Sequence, residues 1–252
     1  MRGLLALVLL LAAAPAARGE EIVLGLSQDQ VAITATFDGS DILVFGAVKR
    51  DAPPPPGASP LEVVVAVSGP LLPLTVRHAE QRMGIWMNTG ALRVSAAPSF
   101  YAVATTGPLD AILSDTEDLR YSVSLPRAIR AIGNEVGNRE DYIAALMRIR
   151  ADQGAYRILE GAVDFAEQTL FRARIGLPAN LTEGDYRTRI FLTRDGEIVD
   201  VLETSILVRK VGIERWLFAL SRENAPLYGL LALAIAILAG WAASAAFQAV
   251  RR

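Results

Sequence analysis

Ala225-Pro226-Leu227-Tyr228-Gly229-Leu230-Leu231-Ala232-Leu233-Ala234-Ile235-Ala236-Ile237-Leu238-Ala239-Gly240-Trp241, continuing to Val250, is an apolar run closed by Arg251 and Arg252. Only Ser244 and Gln248 within it are clearly polar, and no residue carries a charge. A helix rises about 1.5 Å per residue, so roughly 20 residues cross a hydrocarbon core of about 30 Å. The run 225–250 is therefore expected to be a transmembrane helix, with 251–252 as a cytoplasmic tail.

The other end of the chain carries a complementary signal. Arg2 precedes a short apolar core, Leu4 to Leu11, followed by the small residues Ala12 to Gly19. That order is the one of a secretory signal peptide, expected over residues 1–19, with Ala17 or Glu20 as the mature start. An uncleaved anchor is the competing reading, disfavoured by the short apolar core. Export followed by a stop-transfer helix places the middle of the chain outside the cytoplasm, and Arg251 and Arg252 inside satisfy the positive-inside rule.

Composition narrows the chemistry. The chain has 252 residues, 25 Lys+Arg against 27 Asp+Glu and no cysteine. The near balance offers no basic field for nucleic acid, and the missing cysteine removes disulfides, thiol catalysis and thiolate metal sites. A mean hydropathy of +0.33 is high for a soluble chain, and the two terminal apolar segments account for much of it.

Between the termini the pattern is mainly β. Val31, Ile33, Ala35 and Phe37 alternate with Ala32, Thr34 and Thr36, the period of a half-buried strand. Asp38-Gly39-Ser40-Asp41 then reads as a turn before Ile42 to Val48, which together predict a hairpin. Pro53 to Pro56 cannot join a ladder and form a stiff loop. Leu61 to Val67 is a β-branched strand, with shorter candidates at Gly84 to Asn88 and Phe100 to Ala104.

From about 108 to 154 the period becomes helical. Pro126 is placed to open a short helix, and Asn138 to cap a second. The second has Glu140 and Asp141 in its first turn, Ile143, Leu146 and Met147 at helical spacing, and Gly154 as its stop. Strands return after Val163. Asp195-Gly196 is a strong type I′ hairpin signal and predicts Leu192 opposite Val199 and Ile190 opposite Val201. Leu202 and Ile206 fall on the other parity, so a bulge or a doubly buried strand is expected there. Tyr186, following Leu181-Thr182-Glu183-Gly184-Asp185, resembles the tyrosine corner of immunoglobulin-like sandwiches, in which the hydroxyl bonds the backbone upstream. A surface tyrosine after a loop is the alternative.

The expected architecture is an immunoglobulin-like β-sandwich over 20–211 with a helical insertion, then an amphipathic segment over 212–224, then the membrane helix. In the amphipathic segment Ile213, Trp216, Leu217 and Leu220 share one side.

Neither a catalytic nor a cofactor motif is present. His78 is the only histidine and there is no G-x-S-x-G turn, so an enzyme is not expected, and no cofactor or metal is expected either. Two features are candidates for binding. Arg172, Arg174, Arg187 and Arg189 alternate outward on two strands; if those strands are neighbours they form a basic stripe suited to an anionic ligand or acidic partner, with ordinary solvated sheet as the rival reading. Ala232, Ala236, Gly240 and Ser244 recur every four residues, a small-residue ladder that lets helices approach and pack, in self-association or with another membrane protein. Alanine is common in membrane spans, so chance spacing competes.

Gly212-Ile213-Glu214-Arg215-Trp216, the run Pro226 to Leu231, Gly240-Trp241, Phe37-Asp38-Gly39-Ser40, Gly84-Ile85-Trp86-Met87-Asn88 and Pro98-Ser99-Phe100-Tyr101 together resemble an alphaproteobacterial family of transmembrane proteins of unknown function. The resemblance implies a Gram-negative inner membrane with the folded part in the periplasm, and an accessory role beside an exporter-type permease. It transfers no functional residue. Function is thus expected to be that of a membrane-anchored periplasmic accessory or interaction protein; the alternative is a tethered module that binds or senses a small anion or envelope component.

Overall fold

The computed structural model describes residues 20–27, 30–33, 37–50, 57–131, 139–210, 217 and 220–250. The expected signal peptide (1–19), the cap Asn138 and most of the amphipathic segment 212–224 lie outside them. The chain divides into two compact units. The larger runs to Val31 and resumes from Asp38 to Val208; the second comprises Ala32–Phe37 with Arg209–Arg252.

The strands form two main sheets. The first has the order β1 (Glu20–Leu26), β3 (Ser40–Arg50), β11 (Leu170–Leu177), β10 (Val163–Ala166). The second has the order β2 (Gln30–Ile33), β13 (Glu197–Lys210), β12 (Gly184–Arg194), β4 (Glu62–Ser68), β7 (Tyr101–Thr105), β9 (Tyr156–Leu159). Alternation fixes the inner face of the first sheet: Ile42, Val44, Phe171, Ala173 and Ile175 are buried, whereas Arg172 and Arg174 face out. The second sheet is buried on both faces at its centre. That is why β4 reads as the continuous run Val63-Val64-Val65-Ala66-Val67, every member at most 1 % exposed, instead of alternating.

What covers the second face of that sheet is the helical segment. It contains α1 (Leu109–Ile112), α2 (Asp115–Tyr121), α3 (Leu125–Ala128) and α4 (Arg139–Asp152). It carries the chain from β7 to β9, which pair in parallel with Tyr101 opposite Tyr156. A parallel pair requires such a crossover. Val64, Ala66, Val103 and Phe191 on the sheet and Ile112, Val123, Leu125 and Leu146 on the crossover form one buried cluster. A long hairpin of β5 (Leu71–Arg82) and β6 (Ile85–Pro98), with the short β8 (Arg130–Ala131) beside β6, makes a third sheet. Its base joins the same cluster through Leu92, Val94 and Ala97.

The expectation of a mainly β body with a helical insertion is met. The parallel β7–β9 pair departs from the antiparallel immunoglobulin arrangement. Two local expectations are corrected. The described part of the first expected strand, Gln30–Ile33, does not pair with Ile42–Val48: β2 lies beside β13 in the second sheet, while both edges of β3 are taken by β1 and β11, and 34–36 lie outside the described residues. Gly39, just before β3, has φ +122° and an α-carbon so near β11 that a Cβ would lie 2.8 Å from the Leu177 carbonyl oxygen.

The second correction concerns the β12–β13 register. Asp195 (φ 53°) and Gly196 (φ 79°) form the expected tight turn. The register then shifts beside Leu192/Thr193, so Leu192 faces Asp200 and Ile190 faces Leu202. The expected parity change is real but sits earlier than the sequence suggests, with the half-exposed Val199 as the extra residue. The bulge turns Asp200 inward, where its carboxylate accepts the Ile22 N–H at 2.8 Å. Glu20 adds a second tie, accepting from Arg50 at 3.0 Å on the first sheet and Arg194 at 2.9 Å on the second.

Tyrosines lock the body. Tyr186 is fully buried and donates its hydroxyl to the Thr182 carbonyl at 2.9 Å, the upstream backbone bond of a tyrosine corner. Tyr156 donates to the Pro98 carbonyl at 2.8 Å, and burial pushes its pKa up from 10.0 to about 12, with Arg150 opposing. Burial likewise raises Tyr186. Because the folded value exceeds the unfolded one, the contribution of Tyr156 to stability is intact below pH 10 and is lost between about 10 and 12, where the unfolded chain has already given up its proton. Denaturant midpoints measured across that range should drop steeply in the wild type and less in Tyr156→Phe.

The second unit contains α5, Ala225–Val250, 26 residues long. Asn224 starts it, its carbonyl accepting from Leu227 and Tyr228. Pro226 sits in the first turn, where its missing N–H has no partner to lose. Leu230, Leu233, Ile235, Ile237, Leu238 and Trp241 are all exposed. A helix apolar on every side must be covered by protein or by lipid, and this one has the length and composition to cross a membrane.

Candidate functional site

Arginines converge on the face of the second sheet that the helical crossover covers. On β12 the inward residues are Tyr186, Thr188, Ile190 and Leu192, which leaves Arg187, Arg189 and Phe191 on the other side, toward the crossover. The crossover brings Arg120 on α2, Arg127 on α3 and Arg130 on β8 to the same place. The five guanidinium groups line a cleft of about 330 Å³ together with Ser68, Tyr101 and Tyr121. No carboxylate lines it among the described residues.

Each element is there for a local reason. Ser114 caps α2, its hydroxyl accepting from the Glu117 N–H at 3.5 Å, and Ser122 ends the helix in the left-handed region at φ 51°. Asp118 holds the following turn by accepting from Val123 at 3.0 Å and Ser124 at 2.6 Å. Pro126 then starts α3 as the sequence predicts. Arg189 reaches the end of α2 and donates to the Tyr121 carbonyl at 2.5 Å and the Ser122 carbonyl at 3.1 Å. A cation at a helix C-terminus meets the negative end of the dipole. The same guanidinium lies 5.3 Å from the Phe191 ring centroid and 3.3 Å from the Tyr101 hydroxyl.

Tyr101 is spoken for. Its hydroxyl donates to the Val123 carbonyl at 2.7 Å, and burial raises its pKa while Arg189 pulls the other way. Carboxylates flank three of the other arginines: Glu117 on Arg120 (3.0 Å), Glu203 on Arg187 (3.0 Å) and Asp118 near Arg127 (3.8 Å). Arg130 has no carboxylate within 4.0 Å among the described residues. A guanidinium carries five donors in a planar fork, so single contacts leave N–H groups for an oxyanion. Five cations against three carboxylates leave the cleft positive. Among the described residues that line it, the arginine guanidinium groups are the dominant polar feature.

The sequence-derived stripe does not form. Arg172 and Arg174 lie on β11 in the first sheet, and Arg187 and Arg189 on β12 in the second. Arg172 is held by Asp164 at 2.7 Å beside a separate shallow depression that Arg174 also lines. Arg187 and Arg189 therefore take part in the cleft with three arginines the sequence reading missed. Ser114-Asp115-Thr116-Glu117 is a capping-box pattern that signals α2, but no spacing brings residues 120, 127, 130, 187 and 189 together. His78 sits on the exposed hairpin, 3.6 Å from Glu80 and edge-on to Tyr142. Ala232, Ala236, Gly240 and Ser244 fall on α5 at four-residue spacing, with no neighbour within 4 Å of a Cβ placed at Gly240.

A mainly β body followed, among the described residues, by one helix apolar and long enough to cross a membrane (225–244, mean hydropathy 1.9) defines the class: a membrane protein with a folded β-rich domain. The chain belongs to the family described as "Putative transmembrane protein" (Alph_Pro_TM), which matches residues 21–249. No curated protein matches it.

Proposed function

We propose that this chain is a non-enzymatic accessory protein of the bacterial inner membrane. It is exported through residues 1–19, anchored by α5 with its C-terminus cytoplasmic, and presents the β-rich body in the periplasm. Of the two roles open to such a protein, the binding module is the better supported, and the observation that carries it is the five-arginine cleft. Planar guanidinium forks recognise carboxylate and phosphate groups bidentately, so the ligand is a small oxyanion or an envelope component bearing one. Supply of that anion to, or its sensing for, a transporter in the same membrane would unite the accessory and binding roles.

The test is calorimetric titration of the full-length protein in nanodiscs with inorganic phosphate and with citrate. Saturable binding that weakens at high salt is expected for one of them. Arg127→Ser with Arg130→Ser should weaken it about tenfold or more, since each charge-assisted bond contributes about 1.5–3 kcal/mol. Both side chains are on the surface, so the fold tolerates the change. Binding of neither anion, or unchanged binding in the double variant, would remove the cleft from the function. Co-purification of a transporter by the wild type and equally by the double variant would leave the accessory role without the anion.

A further inference from the structure

The β5–β6 hairpin ends in an apolar tip that nothing in the described chain covers. Met83 is fully exposed, and Ile85, Trp86 and Met87 are 66, 70 and 52 % exposed. From Met83 to Leu92 the sequence has no charge. The tip is also strained. Met83 holds φ 51° ahead of Gly84 at φ 80°, the two positive values of a type I′ turn, where asparagine is preferred in front of glycine. A large apolar side chain in that backbone state is unfavourable twice over, by conformation and by contact with water. Such an arrangement makes sense where the side chain leaves water.

We infer that this tip inserts into the interfacial layer of a lipid bilayer, as a second membrane contact in addition to α5. The pleat decides for lipid over a protein groove. Trp86 projects to one face of the hairpin and Ile85 and Met87 to the other, yet all three are exposed. A protein partner laid on one face leaves the opposite face in water, whereas lipid surrounds both. From the turn to Met87 is about three residues of strand, roughly 10 Å, which matches the 5–10 Å depth of interfacial insertion. Tryptophan favours that depth. Across the hairpin Arg82, Gln81 and Glu80 stand opposite Ile85, Trp86 and Met87, with Arg82 3.3 Å from Glu80; the long arginine stem can lift its charged head to a headgroup phosphate while the apolar side chains of β6 go deeper.

The inference takes the anchoring by α5 as given, and vesicle flotation reports on that separately. Because the chain has no cysteine, Met83→Cys gives a single labelling site, with the exposed Thr116→Cys on α2 as the reference. Each full-length variant is labelled with an environment-sensitive dye and reconstituted into phosphatidylcholine/phosphatidylglycerol vesicles. The dye at 83 should emit several-fold more strongly and to the blue of that at 116, and nitroxides on the lipid chains should quench it. Trp86→Asp in the Met83→Cys background should abolish both effects while the protein still floats. A dye at 83 that remains open to aqueous quenchers overturns the inference. So does a dye shielded from water but untouched by lipid nitroxides, which would place the tip against protein.

Discussion

Lysine at both Ile235 and Leu238 should release the full-length chain from carbonate-washed membranes. Both residues lie near the middle of α5 and are exposed, so neither belongs to the core of the β-rich unit. A lysine at the centre of a spanning helix is disfavoured by about 2.5–3.5 kcal/mol, and the aliphatic side chains it replaces were themselves favourable. Two such changes total roughly 5–7 kcal/mol, more than a thousandfold in partitioning. The ectodomain should keep its circular-dichroism signature, because the described core residues are unchanged. Retention in the carbonate-resistant pellet would show that α5 is not the anchor. The same preparation would discriminate the roles of α5 and of the hairpin tip, since the tip alone offers an interfacial contact of a few side chains.

Phe191→Ala should be the most damaging single substitution in the body, at about 3–5 kcal/mol. The ring is fully buried on the crossover side of β12, packs edge-on to Tyr121 at 5.8 Å and lies under the Arg189 guanidinium. Truncation removes the transfer free energy of the ring and opens a cavity between sheet and crossover. It also withdraws the surface on which Arg189 rests, so the arginine cleft should loosen with the fold. Urea titration of the nanodisc-embedded protein measures the loss. A value below about 1 kcal/mol would mean that the crossover collapses into the vacated space.

Parts of the fold were legible because they depend on neighbours in sequence. Phe171, Ala173 and Ile175 against Arg172 and Arg174 give the alternation of β11; Glu140, Asp141 and Gly154 mark the two ends of α4; Asp195-Gly196 dictates its turn. Of the β5–β6 hairpin only Gly84 to Asn88 was picked out as strand, because much of it stands in solvent on both faces and no buried stripe imposes a period of two. The Val199 bulge was misplaced for a related reason: one extra residue reverses the facing of everything beyond it, and only the carboxylate contact of Asp200 with β1 reveals where it must fall.

The sequence by itself determined the uncharged helix near the C-terminus, the mainly β body and the helical interruption. Each follows from local periodicity and from the free energy of moving side chains between water and an apolar phase. Only the tertiary structure decided that Arg187 and Arg189 part company with Arg172 and Arg174, and that they meet Arg120, Arg127 and Arg130 instead. Strand pairing places residues by hydrogen-bond register across long loops, and the parallel β7–β9 pair brings the crossover over one face of the sheet. Charges distant in sequence are gathered there by burial of the apolar cluster beneath them, a constraint that no spacing along the chain records.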